Sequence, residues 1–62
     1  MVIQIVSGEG AMGTVEPYVG RVTRRALVRR LRREARGCRW AHALIDGMVC
    51  TVEDLRCGMV LE

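Results

Sequence analysis

Hydrophobic and polar positions along this chain change their spacing twice, and each change marks an element. Val2 to Val6 is a short β-rich run that stops at Ser7, and the stretch Ser7 to Gly13, SGEGAMG, is rich in turn formers. A first strand followed by a loop is expected. Thr14 to Val22 leans toward β through Val15, Val19 and Val22. Pro17 lacks a backbone donor and Gly20 weakens the interior, so this segment is at best an edge or broken strand.

At Thr23 the spacing becomes helical. With about 100° per residue, Leu27, Val28, Leu31 and Ala35 share an arc roughly 100° wide, while Arg25, Arg29, Arg32, Arg33 and Arg36 share another of similar width. Thr23 is a good N-cap and Gly37 a good residue to follow the helix, which bounds it at about 24 to 36.

A period of two then returns. Cys38 to Ile45, the pair Asp46-Gly47, and Met48 to Val52 make the strongest hairpin signal in the chain, because Asp-Gly supplies the positive φ angles of a type I′ turn. Ile45 is expected opposite Met48, and Leu44 opposite Val49. Alternation puts Cys38, Trp40, His42, Leu44 and Val49 on one face, and Ala41, Ala43, Ile45, Met48, Cys50 and Val52 on the other. Both faces are largely apolar, and one helix covers only one of them. Thr51 with Asp54 three residues on outlines a capped turn, so Val52 to Arg56 is expected to be helical, with Met59 to Leu61 as a last short strand. The predicted fold is a small α+β domain over residues 1–62: a three- to four-stranded, mainly antiparallel sheet with one amphipathic arginine-rich helix packed on one face.

Composition sharpens this in two respects. With no Phe, one Trp and one Tyr, the core must be aliphatic. A chain of this size buries only about 60% of its unfolded surface, so an additional source of stability is expected. Three cysteines, Cys38, Cys50 and Cys57, leave one unpaired in any disulfide scheme, and no secretory signal precedes them. These features point to a reduced, cytoplasmic chain stabilised by self-association, a homodimer or a larger assembly. The opening apolar run is far shorter than the roughly 20 residues of a spanning helix, and no membrane association is expected.

Charge is segregated. Residues 1–20 carry −2, residues 21–39 carry +8 and residues 40–62 carry −3, with every basic residue an arginine. On the helix, Arg25–Arg29, Arg29–Arg33 and Arg32–Arg36 are like-charge i,i+4 pairs, each costing a few tenths of a kcal/mol. Arg30–Glu34 alone offsets them. Such a face calls for an anion opposite.

Other motifs fall short of a site. Gly8, Gly10 and Gly13 form a GxGxxG after a strand, but no helix opens at Gly13 and Glu9 repels phosphate, so a dinucleotide fingerprint is not supported and no cofactor is expected. Cys38, His42, Cys50 and Cys57 have no zinc-ligand spacing, and hairpin alternation separates His42 from Cys50, so no metal is expected. His42 is the sole imidazole and has no nucleophile within local reach. Binding rather than catalysis is therefore expected. The leading expectation is a non-enzymatic nucleic-acid-associated or regulatory protein that grips phosphates through Arg25, Arg29, Arg32, Arg33 and Arg36. The helix has no Asn, Gln or Ser to read base edges. The competing expectation is an assembly subunit whose arginine face meets an acidic protein surface, with Ile45, Met48 and Val52 as its apolar association surface.

Overall fold

The structure is a computed structural model, described over residues 1–57. The elements run β1 (Ile3–Gly8), β2 (Gly13–Pro17), α1 (Arg24–Gly37), β3 (Trp40–Ile45), β4 (Met48–Cys50) and α2 (Val52–Arg56). The four strands form one antiparallel sheet in the order β2-β1-β3-β4. Because β2 and β3 each run antiparallel to β1, they run parallel to each other, and α1 is the crossover that carries the chain between them over β1. Such a crossover lays its helix across one face of the sheet, which is the predicted α+β arrangement.

The hairpin forms in the predicted register, with Ile45 opposite Met48 and Leu44 opposite Val49. Asp46 and Gly47 have φ of 51° and 86°, both positive as a type I′ turn requires. The Asp46 carboxylate also accepts from the Val2 amide at 2.8 Å, tying the turn to the start of the chain. The segment 14–22 contributes only β2, which begins at Gly13, ends at Pro17 and is exposed throughout as an edge strand. Tyr18 then packs against the core, and its hydroxyl donates to the Arg21 carbonyl at 2.6 Å.

The core lies between the sheet and the two helices. Ile3, Ile5, Ala41, Ala43, Ile45 and Cys50 point inward from the sheet to meet Leu27 and Leu31 of α1 and Leu55 of α2. Three expectations change here. Ala35 is exposed and Glu34 half-buried, so α1 is rotated toward its Arg30–Glu34 side, which is held by ion pairs. Gly37 is the last helical residue rather than a left-handed terminator, and the extended Cys38 caps the helix by donating to the Glu34 carbonyl at 3.1 Å. Ile45, assigned to an association surface, is core, and Val52 packs against that core from α2. Of the three residues assigned to that surface, Met48 alone is exposed. The strand expected over Met59 to Leu61 lies outside the described residues.

Directly paired residues project to the same side of an antiparallel sheet. On the side away from the helices this groups Gln4, Val6, Val15, Pro17, Trp40, His42, Leu44 and Val49. Across that face the Trp40 indole lies over Gly8 and Gly13. A Cβ at Gly13 would fall 2.6 Å from Trp40 Cη2 and 2.7 Å from the Ser7 carbonyl, and one at Gly8 would fall 2.9 Å from Trp40 Cζ2. Trp40 Nε1 donates to the Gly10 carbonyl at 2.7 Å, pinning the β1–β2 loop. Two of the three glycines of the GxGxxG pattern are thus spaces for an indole. The spacing arises because Gly8 and Gly13 face each other across the β1–β2 pair.

Candidate anion-binding groove

The arginine face of α1 follows from the way the helix is anchored. Thr23 caps it, its hydroxyl accepting from the Ala26 amide at 3.1 Å. Leu27 and Leu31, one turn apart and fully buried, fix its rotation against the sheet. The residues opposite them must then face outward, and Arg25, Arg29, Arg32, Arg33 and Arg36 are all exposed.

α2 completes the site. Thr51 and Asp54 form a capping box, with the Thr51 hydroxyl accepting from the Asp54 amide at 3.2 Å and the Asp54 carboxylate from the Thr51 amide at 3.0 Å. Leu55 is buried in the core and holds this short helix beside α1. Arg56, the next residue, is thereby turned into the space along α1. The result is a groove of about 660 Å³ lined by Arg25, Val28, Arg29, Arg32, Arg33, Arg36 and Arg56. Arg29 and Arg33 also border a smaller hollow of about 250 Å³ with Tyr18, Val19 and Arg30.

All five predicted arginines are therefore brought together. A sixth, Arg56, joins them from the acidic third of the sequence, where the surrounding carboxylates mask its charge in the local pattern. A signal for it existed: the capping box fixes the helical turn, and Leu55 as its apolar residue places Arg56 to one side of the core. The neighbour on that side was not legible.

Among the described residues no carboxylate lines the groove. The ion pairs among the described residues both involve Arg30, which donates from Nε to Glu34 at 2.8 Å and from Nη2 to Glu16 on β2 at 2.7 Å. Arg30 is the one helix arginine largely shielded from solvent. Its hydrogen bond to Glu34, seconded by Glu16, holds its pKa above the usual arginine range. It works as a clamp between α1 and the edge strand, whereas the groove arginines carry their charge outward.

The remaining titratable candidates are dispersed. Cys50 is buried on the helix side, and burial, with Asp54 nearby, pushes its thiol pKa up. His42 stands on the opposite face, stacked on Trp40 with ring centroids 5.3 Å apart, while Cys57 is exposed at the end of α2. Among the described residues no three His, Cys, Asp or Glu side chains converge in a way that could hold a metal ion. No described helix is long and apolar enough to cross a membrane. Compared with protein-family models, curated proteins and solved structures, the chain matches none.

Proposed function

We propose that this chain acts by binding rather than catalysis, and that the groove between α1 and α2 grips the phosphate backbone of a nucleic acid. The observation that supports this reading is the convergence of six arginines, from two separate elements, on one groove that no carboxylate of the described residues lines. Guanidinium forks bind phosphate oxygens bidentately and remain charged at any working pH. Arg25 to Arg36 spans about 16 Å along the helix axis, enough to meet several successive phosphates. The like-charge i,i+4 pairs that weaken an isolated helix become favourable once phosphates lie between them. The described residues of the groove offer no amide or hydroxyl side chain, so it grips backbone and reads sequence weakly.

The test is fluorescence anisotropy with labelled DNA and RNA, single-stranded and duplex, over a salt series. Contact with four to six phosphates gives a log K against log salt slope of about −4 to −5 on duplex DNA. Arg29→Gln and Arg56→Gln each reduce its magnitude by about one. Absence of binding at low salt by the folded protein refutes the reading. Tight binding of polyglutamate without binding of any nucleic acid would transfer the groove to an acidic protein partner.

A further inference from the structure

We infer that the hollow beside Tyr18 seats one unpaired nucleobase, which makes the arginine groove a site for single-stranded nucleic acid; this rests on the phosphate-backbone reading above. The hollow measures about 250 Å³ and is lined by Tyr18, Val19, Ala26, Arg29, Arg30 and Arg33. Arg29 and Arg33 also line the groove, so they are the shared wall of the two spaces. They stand about one helical turn apart, roughly 6 Å along the axis, close enough to hold one phosphate between them. A strand gripped there runs its backbone along the groove and has one base within reach of the hollow.

Charge selects what fills the hollow. Arg29 and Arg33 make no ion pair among the described residues, whereas Arg30, its third cation, is bonded to Glu34 and Glu16. A second phosphate placed there would meet these two carboxylates. An uncharged base meets no such repulsion and leaves the shared arginines to its own phosphate. The rest of the lining, Tyr18, Val19 and Ala26, suits the flat face of a base rather than a charged group.

The segment between β2 and α1 holds the Tyr18 ring in place. Tyr18 packs against the core, its hydroxyl donates to the Arg21 carbonyl at 2.6 Å and its amide donates to the Ile3 carbonyl at 3.0 Å. Gly20 has a φ of 154°, and a Cβ there would lie 3.0 Å from the Tyr18 hydroxyl oxygen, so the chain passes the ring closely only because this residue has no side chain. Val19, between them, lines the hollow while remaining 85% exposed. An aromatic ring already fixed beside two outward-facing arginines lets a base stack with little side-chain ordering on binding.

A base reaches the hollow only after leaving its stack and its pairing partner. A single strand does this at the least cost, whereas a duplex must first open. Stacking tolerates any base, in keeping with a groove that reads sequence weakly.

The experiment compares, by fluorescence anisotropy, a thymidylate strand of about ten nucleotides with an abasic strand carrying the same number of phosphates. The thymidylate strand is expected to bind roughly tenfold more tightly. The salt slopes are expected to be equal, because the phosphates are equal in number. In proton NMR the Tyr18 ring and Ala26 methyl resonances are expected to move with the thymidylate strand and not with the abasic one. Ala26→Leu, which fills the hollow, and Tyr18→Leu, which removes the ring, are each expected to abolish the difference between the strands. Equal affinities overturn the inference and leave the backbone reading standing, since both strands still bind with the same salt dependence. A difference that survives both substitutions, or that leaves those resonances unmoved, puts the base elsewhere and also overturns it. Failure of both strands and of a duplex to bind the folded protein at low salt overturns the backbone reading, and this inference with it. If a variant fails to fold, the two strands and the resonances of the unaltered chain decide.

Discussion

Replacing Gly13 by Ala tests whether the glycine pattern after β1 serves packing. An Ala at an exposed strand position ordinarily gains up to about 1 kcal/mol over Gly, because less backbone entropy is lost on folding. Here the new Cβ would lie 2.6 Å from Trp40 Cη2 and 2.7 Å from the Ser7 carbonyl oxygen, where ordinary contact needs about 3.5 Å or more. The indole must move by about 1 Å, and the backbone beside Ser7 must yield as well. Overpacking of this kind costs about 1–3 kcal/mol. Moving the ring also stretches the 2.7 Å bond from Trp40 Nε1 to the Gly10 carbonyl beyond useful length, at about 1 kcal/mol. Set against the gain of up to about 1 kcal/mol, the net expectation is a loss of about 1–4 kcal/mol, against a total stability of about 3–9 kcal/mol for a chain of this length. At about 4–8 °C per kcal/mol for so small a domain, the melting temperature falls by about 4 °C or more. Thermal unfolding followed by circular dichroism, with Trp40 emission at low temperature, reads both consequences. Gly10→Ala is the internal control, since a Cβ there meets nothing within 4 Å and should change stability by less than about 0.5 kcal/mol. A Gly13→Ala variant as stable as the parent, with unchanged Trp40 emission, would refute the packing account. The sign of the change decides it.

Two further predictions concern the groups whose ionisation the fold perturbs. Arg30→Met removes the clamp to Glu34 and Glu16; with Glu16 half exposed, the loss is expected at about 1–2 kcal/mol by denaturant titration, while groove affinity for nucleic acid changes little. The Cys50 thiol is held protonated by burial, so its folded pKa exceeds the unfolded value of about 8.5. Its contribution to stability is complete below that pH and is lost as pH rises toward the folded value, because the unfolded chain releases the proton first. Stability should therefore fall above about pH 8.5, by a smaller amount in Cys50→Ala, and a pH profile unchanged by that substitution would exclude Cys50 as the cause.

Much of the site was legible locally. The arginine arc and its bounds near Thr23 and Arg36 follow from helical periodicity and one cap, and the hairpin register follows from Asp46-Gly47, since these are interactions between residues close in sequence. The misplaced details share a different origin. Ala35 looked apolar enough for the core, but helix rotation was decided by Leu27 and Leu31 together with the ion pair from Arg30 to Glu16, fourteen residues away. Ile45 alternates with Leu44, and alternation alone does not say which side the helix will cover. The glycine pattern resembled a phosphate loop because its counterpart, Trp40, lies far along the chain from Gly8 and Gly13.

The sequence by itself determined the elements, the segregation of charge and the existence of a cationic helix face, all of which depend on period, capping and turn chemistry within a few residues. Tertiary structure alone decided which sheet face is buried and which is left open, brought Arg56 into the groove through the burial of Leu55, and turned three glycines into a seat and an anchor for an indole. These outcomes depend on the crossover of α1 from β2 to β3, a choice among long-range contacts that no local pattern records.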